Sequence, residues 1–370
     1  MDAIGRGHGI FKLGGDHAAV YGLPSLAAAE DAFVNASVER TAEHGLTISL
    51  PDMNLQPRSF SLDLLEIVHS LYKIRESNLG LPEYTRYLNK NLEIDKPFLP
   101  LITAAAILSQ EHDVSISRKK LTVSAPPTLN IPIQKGHASS NASAAASIIG
   151  LVLSSGVGVG LDTLAEVLID AERVTVGKEG AGVVDSGAQK EGGYVYKKGP
   201  DVPYEPLDVD ERIAREADWV LVDTGPKPET SVKVGSVAFL LQKSRNGVMA
   251  ILQEVGDSAT REKAALIKGD VVELGREMTF THQQLKKLGL TRSEVNPDGL
   301  DKFFAISLKN GALGAKLSGG GGGGMGVALS PKEKTDALIA ALRNVGFEAS
   351  KHSVSFEGMR SQLAKSVSLL

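Results

Sequence analysis

Apolar and polar positions change period along the chain. Residues 18–50 mix short apolar runs with strict alternation, which predicts strands early in the sequence. From 60 to 120 the spacing turns helical. Leu62, Leu65, Ile67, Leu71 and Ile74 have the spacing of one amphipathic helix, and ITAAAILSQEH (102–112) predicts another. A polar loop of small residues, QKGHASSNAS (134–143), then opens into the apolar run AAASIIGLVLSS (144–155), a loop leading into a helix. Lys178–Gly193 is rich in glycine and broken by charges, and the alternating YVYKKG (194–199) follows it. Further on, ADWVLVDTG (217–225) predicts a strand, and 257–289 and 297–310 carry long helical patterns. A strand–loop–strand unit is expected at GAKLSGGGGGGMGVAL (314–329), with a helix at 331–345. No repeat of 20–50 residues is present, which excludes solenoids and propellers.

A length of 370 residues suits two lobes, each with its own core. The prolines of GPDVPYEP (199–206) place the expected boundary near residue 200, giving lobes 1–200 and 201–370. Hydrophobic residues at 42% and charged residues at 23% are ordinary globular values, so the chain should fold unaided. Forty basic and 44 acidic residues are scattered to a net charge of -4, without the basic field that nucleic acid or an anionic membrane would require. A small-molecule partner is expected instead. The absence of cysteine removes disulfides, thiolate metal sites and cysteine nucleophiles together, so any metal must use oxygen or imidazole ligands. MDAIGRGHGIFKLGG lacks the apolar core of a signal peptide, and IIGLVLSSGVGVGL (148–161) is too short and glycine-broken to cross a bilayer. The expected location is cytoplasmic.

Three constellations carry candidate chemistry. In IPIQKGHASSNASAAAS (131–147) a loop of small residues meets a helix start, whose free N–H groups and dipole favour phosphate, although a serine-capped helix would read the same way. In KLSGGGGGGMGVAL (316–329) six glycines stand between two short apolar runs, which suggests a loop pinned by paired strands as readily as a linker. In FKLGGDHAAVYGLPSLAAA (11–29) the polar pair Asp16–His17 lies among glycines and apolar residues. GRGHG (5–9) is no dinucleotide fingerprint, because no strand precedes it and no full G-x-G-x-x-G follows.

In this order the three segments resemble the signature motifs of the GHMP kinase superfamily. DHAAVYG (16–22) is similar to the first motif of its mevalonate kinase branch, PIQKGHASSNA (132–142) to the phosphate loop and GALGAKLSGGGGGG (311–324) to the third motif. VDTGPKPETSVK (222–233) and HQQLKKLGL (282–290) also resemble that branch. The resemblance implies an α+β, two-lobed GHMP kinase fold, with a ribosomal protein S5 domain 2-like N-terminal domain containing a left-handed βαβ unit, a ferredoxin-like C-terminal domain and the active site between them. It implies ATP and Mg²⁺ as cofactors and mevalonate or a related alcohol as acceptor, and it leaves a homodimer open. Asp185, from GVVDSGAQKEGG (182–193), would be the catalytic carboxylate. Lys135, Gly136, His137, Ala138, Ser139, Ser140 and Asn141 would hold ATP, and Ser140 and Glu172 would ligate the metal. Asp16, His17, Ser318, Gly319 and Gly320 would contact substrate or phosphate. The sequence departs from the family at Gln134 and Ala138, which replace loop glycines, and at Ile10, where a lysine is expected. Lys12 substitutes for that lysine if a bulge shifts the strand register; otherwise alternation points it away. Other superfamily activities, namely phosphomevalonate kinase, mevalonate 3-kinase, galactokinase, homoserine kinase or diphosphomevalonate decarboxylase, share these motifs, as does a non-catalytic binding member.

Overall fold

A computed structural model describes residues 2–77, 88, 90, 92–126, 139–176, 182–226, 230–295 and 297–367. The first lobe is built on a seven-stranded sheet in the order β4–β3–β5–β2–β6–β7, with β1 paired to β2. These strands are β1 (Ala3–Gly14), β2 (Ser25–Arg40), β3 (Leu46–Ser49), β4 (Arg58–Phe60), β5 (Lys119–Ser124), β6 (Tyr194–Lys197) and β7 (Glu205–Leu207). The 16-residue β2 is the spine: β1 runs along it, while β5 and β6 pair with its two halves. Helices α1 (Leu62–Ser77), α2 (Leu99–His112), α3 (Ser139–Ser155) and α4 (Leu161–Val176) enclose the main core with it.

Glycine and alanine set the closest contact in this lobe. A side chain on Gly5 or Gly7 would strike the carbonyl oxygens of Ala146 and Ala142 at 2.1 and 1.9 Å, so α3 lies directly on the backbone of β1. This accounts for both the GRGHG run and the alanine-rich helix: small residues on both partners permit an approach that seats the start of α3 near the end of β1.

The second lobe carries an antiparallel sheet, β11–β8–β10–β9, formed by β8 (Ala217–Asp223), β9 (Gly314–Leu317), β10 (Met325–Pro331) and β11 (Glu348–His352). Alternation along these strands divides the apolar residues between two cores. Val220, Val222, Ala315, Leu317 and Ala328 face one. Trp219, Leu221, Val327 and Leu329 face the other, which also takes in Phe11, Leu13, Leu26, Tyr194 and Tyr196 of the first lobe. The lobes thus share a core. The sheet of the first lobe continues to Leu207, and the sheet of the second begins at Ala217.

Helices α5 (Val183–Glu191), α6 (Arg212–Glu216), α7 (Thr230–Lys243), α8 (Arg245–Lys268), α9 (Val271–Lys287), α10 (Gly299–Lys309), α11 (Thr335–Arg343) and α12 (Met359–Val367) complete the described elements. The helical pattern at 257–289 is two helices rather than one, because Gly269 adopts φ +65° as the C-cap of α8 and Asp270 starts the next by accepting from Glu273 N–H. After β11 the chain crosses back to the first lobe. Ser355 N–H donates to Ala29 C=O, Gln362 exchanges two hydrogen bonds with the backbone of Arg6, and Met359 is buried in the first lobe's core. Among the described residues, no helix is long and apolar enough to cross a membrane.

Candidate active site

Four chain segments meet in one charged cluster of the first lobe. β1 contributes Lys12 through its irregularity, since pairing with β2 shifts register between His8 and Ile10 and again between Lys12 and Gly14. The Lys12 ammonium forms an ion pair with Asp185 Oδ2. Ile10, two residues earlier, packs with Val184 and Ala188 of α5, so apolar contact occupies the position where the family resemblance puts a lysine. The cation arrives from residue 12 instead.

Asp185 sits in the first turn of α5 and is 1% exposed. That helix start places it where the dipole favours an anion. Its Oδ1 has no hydrogen-bond partner among the described residues. Glu172 of α4 approaches the same place, and its Oε2 accepts from Asn141 Nδ2 at 3.1 Å and from Gly182 N–H at 3.2 Å. Asn141, fully buried near the start of α3, leaves its own Oδ1 unpartnered among the described residues. Ser139 and Ser140 open α3 half-buried. Lys135, Gly136, His137 and Ala138 lie outside the described residues.

Among the described residues, the electrostatics are those of an anionic pocket with one cation, Lys12, in it. Burial opposes the charge on Lys12, but Asp185, Glu172 and Asp16 outweigh it and hold the ammonium above its ordinary pKa. Glu172 is pushed upward by burial first and by the Asp185 charge second, against the pull of Lys12 and the bonds from Asn141 and Gly182. The oxygens of Asp185, Glu172 and Asn141 are hard donors, the kind that suit a small divalent cation.

The second half of the site is the β9–β10 hairpin loop, in which Gly319 and Gly321 to Gly324 all have positive φ. The six glycines are therefore a folded loop rather than a linker. A side chain on Gly321 would meet Leu290 C=O at 2.2 Å, and Gly322 N–H donates to that same carbonyl. Thr224 holds the far end through its backbone N–H and hydroxyl, both donating to Gly324 C=O. Asp16 Oδ1 accepts from Gly319 N–H at 2.9 Å, and His17, itself at φ 60°, places Nε2 2.8 Å from Gly320 C=O. Ser318 Oγ receives Lys12 N–H at 3.4 Å, which brings the two halves together.

Sequence reasoning missed several residues here. Thr224 lies in VDTGPKPETSVK (222–233), where nothing in the local pattern marks it as an anchor of the loop. His282 accepts Leu317 N–H on Nδ1 at 3.2 Å, satisfying the outer edge of β9; burial lowers its pKa to about 4 and keeps it a neutral acceptor. Lys316 is wholly enclosed. A lysine between Ala315 and Leu317 in an apolar strand was the available signal for it.

Comparison with known proteins follows this geometry. The family described as GHMP kinases C terminal matches residues 263–347. The chain is 26% identical over 357 residues to a protein named mevalonate kinase from Thermococcus onnurineus, covering 94% of this chain and 95% of the relative. The Methanococcus jannaschii mevalonate kinase structure superposes with a TM-score of 0.73 at 20% identity, over 96% of this chain and 98% of that one. An L. major mevalonate kinase in complex with R-mevalonate gives a TM-score of 0.69 at 19% identity, covering 95% of each chain.

Proposed function

We propose that this chain, a member of the GHMP kinase superfamily with the two-lobed α+β fold, is a mevalonate kinase: a small-molecule kinase that moves the γ-phosphoryl group of ATP to the primary hydroxyl of mevalonate. The observation that carries this reading is the buried Lys12–Asp185 ion pair beside Glu172 and Asn141, at the start of α3. The full-length likeness to proteins named mevalonate kinase supports the choice of acceptor.

In this reading Asp185 receives or orients the acceptor hydroxyl, using the oxygen that has no partner of its own. Lys12 holds the carboxylate in place and offers positive charge where the transferring phosphoryl group gains negative charge. The serines and amides at the start of α3 hold the nucleotide phosphates. Glu172, Ser140 and the Asn141 carbonyl oxygen would hold Mg²⁺, which when bound neutralises phosphate charge. Ser318, Gly319 and Gly320 border the acceptor. Asp16 and His17 brace that loop, because Asp16 Oδ1 and His17 Nε2 are already bonded to it.

The test is a panel of mevalonate, its phosphates, galactose and homoserine, assayed for ATP-dependent phosphorylation with product position read by NMR. Phosphorylation at the primary hydroxyl of mevalonate is the expected result. Preference for another alcohol, or release of carbon dioxide from a diphosphate, would replace this assignment with another superfamily activity.

A further inference from the structure

The buried polar groups beneath the site include one that the reaction does not use directly. Lys316 lies on β9 opposite Val327, so it projects from the sheet into the core that the lobes share, among apolar neighbours and with a side chain 0% exposed. An ammonium group in such a place costs several kcal/mol unless it is paired and hydrogen-bonded. Two partners provide this: Asp16 Oδ2 at 2.6 Å and the backbone carbonyl of Lys12 at 2.8 Å.

We propose that Lys316 is a positioning residue for phosphoryl transfer, fixing the backbone of Lys12 so that the Lys12–Asp185 pair and the glycine loop keep one relative geometry. This deepens the kinase reading and rests on it. The case has three parts. Lys12 sits at the second register shift of β1 against β2, and its backbone polar groups both bond to the β9 segment: N–H to Ser318 Oγ and C=O to Lys316 Nζ. Next, Asp16 joins Lys316 to Gly319 N–H, so the same ammonium braces the loop and the strand. Finally, Glu262 of α8 closes the cluster from the other side. It is fully buried, neither carboxyl oxygen has a hydrogen-bond partner among the described residues, and Oε2 would lie 2.3 Å from a side chain on Gly14. Burial raises the Glu262 pKa well above its ordinary value, with Lys316 opposing and Asp16 adding to the rise.

The experiment uses the full chain with Lys316→Met, and with Lys316→Met/Asp16→Asn, which removes the ion pair as a unit where the single change fails to fold. Amide hydrogen exchange, read without substrate, is expected to rise in residues 9–15 and 318–325 together, while α3 and α9 keep their protection. Activity on the accepted alcohol is expected to fall about 100-fold in kcat, in line with a small misplacement of a reacting group, with KM for ATP little changed. Added to Lys12→Met, the Lys316 change should cost less than about threefold more, because its effect passes through Lys12. Exchange confined to 318–325, near-normal kcat in the double variant, or full additivity with Lys12→Met would overturn the proposal. A wild-type protein that phosphorylates none of the panel alcohols would instead overturn the kinase reading, and exchange would still decide the coupling.

Discussion

Two lysine–aspartate pairs with buried carboxylates meet at Lys12, one through its ammonium and one through its backbone carbonyl, and they differ in their access to solvent. The Lys316–Asp16 pair is closed to solvent: both side chains are sealed, Asp16 Oδ1 also holds Gly319 N–H, and Lys316 also holds a carbonyl. At the Lys12–Asp185 pair, the lysine side chain is 26% exposed and Asp185 Oδ1 is unpartnered among the described residues. A sealed pair tied to backbone through both members fixes geometry, whereas a pair whose lysine reaches solvent retains access for a substrate. A buried carboxylate alone therefore does not separate a structural ion pair from a reactive one.

The sharpest way to break this contrast is Asp185→Asn, which keeps shape and removes charge. It is expected to lower kcat about 1000-fold, with thermal unfolding near the wild-type value, in a coupled ADP-release assay. Near-normal turnover would deny Asp185 its role. Lys12→Met should cost about 100-fold in kcat and also about 3 kcal/mol of stability, since Asp185 is left buried without its counter-ion. Urea unfolding measures the second effect, and an unchanged midpoint would mean that the pair contributes nothing to folding.

A third charged cluster, between the lobes, sharpens the comparison by titrating. His352 Nδ1 lies 2.8 Å from Glu30 Oε1 and 3.2 Å from Asp31 Oδ1. Burial disfavours the imidazolium, but these carboxylates outweigh it and raise the pKa from 6.5 to about 9. Between those values the folded protein keeps a proton that the unfolded chain releases. The stabilisation is therefore full below pH 6.5 and is lost as pH rises towards 9, amounting to about 3 kcal/mol. Urea midpoints at pH 6 and pH 9 should show this decline in the wild type, and His352→Gln should flatten it; an equal slope in the variant would assign the titration elsewhere. The smallest expected effect is that of Gly321→Ala, about 2 kcal/mol, from a left-handed φ of +76° and the collision with Leu290 C=O. A variant as stable as wild type by thermal unfolding would show that the loop can shift away from Leu290.

The legible parts of this molecule were those in which composition is local. The hairpin around six glycines and the strand from Ala217 are found where residue patterning puts them, whereas the helix expected from Ala144 already begins at Ser139, inside the small-residue run that reads as loop. The α5 helix was not legible, because nine residues flanked by glycines give too little periodicity to separate from a loop. Lys12 was readable only as an alternative, since its direction depends on a register shift created by pairing with β2. The return of 352–367 to the first lobe left no trace in the sequence pattern, because it depends on contacts such as Arg6 with Gln362, 356 positions apart.

That return also governs assembly during synthesis. Gln362 and Met359 belong to the first lobe but leave the ribosome after the whole second lobe. The first lobe is thus translated early and finished late, with the surface that receives Met359 waiting for the end of the chain. A release from the ribosome before residue 359 would yield a second lobe complete in its own elements joined to a first lobe still lacking its closing piece.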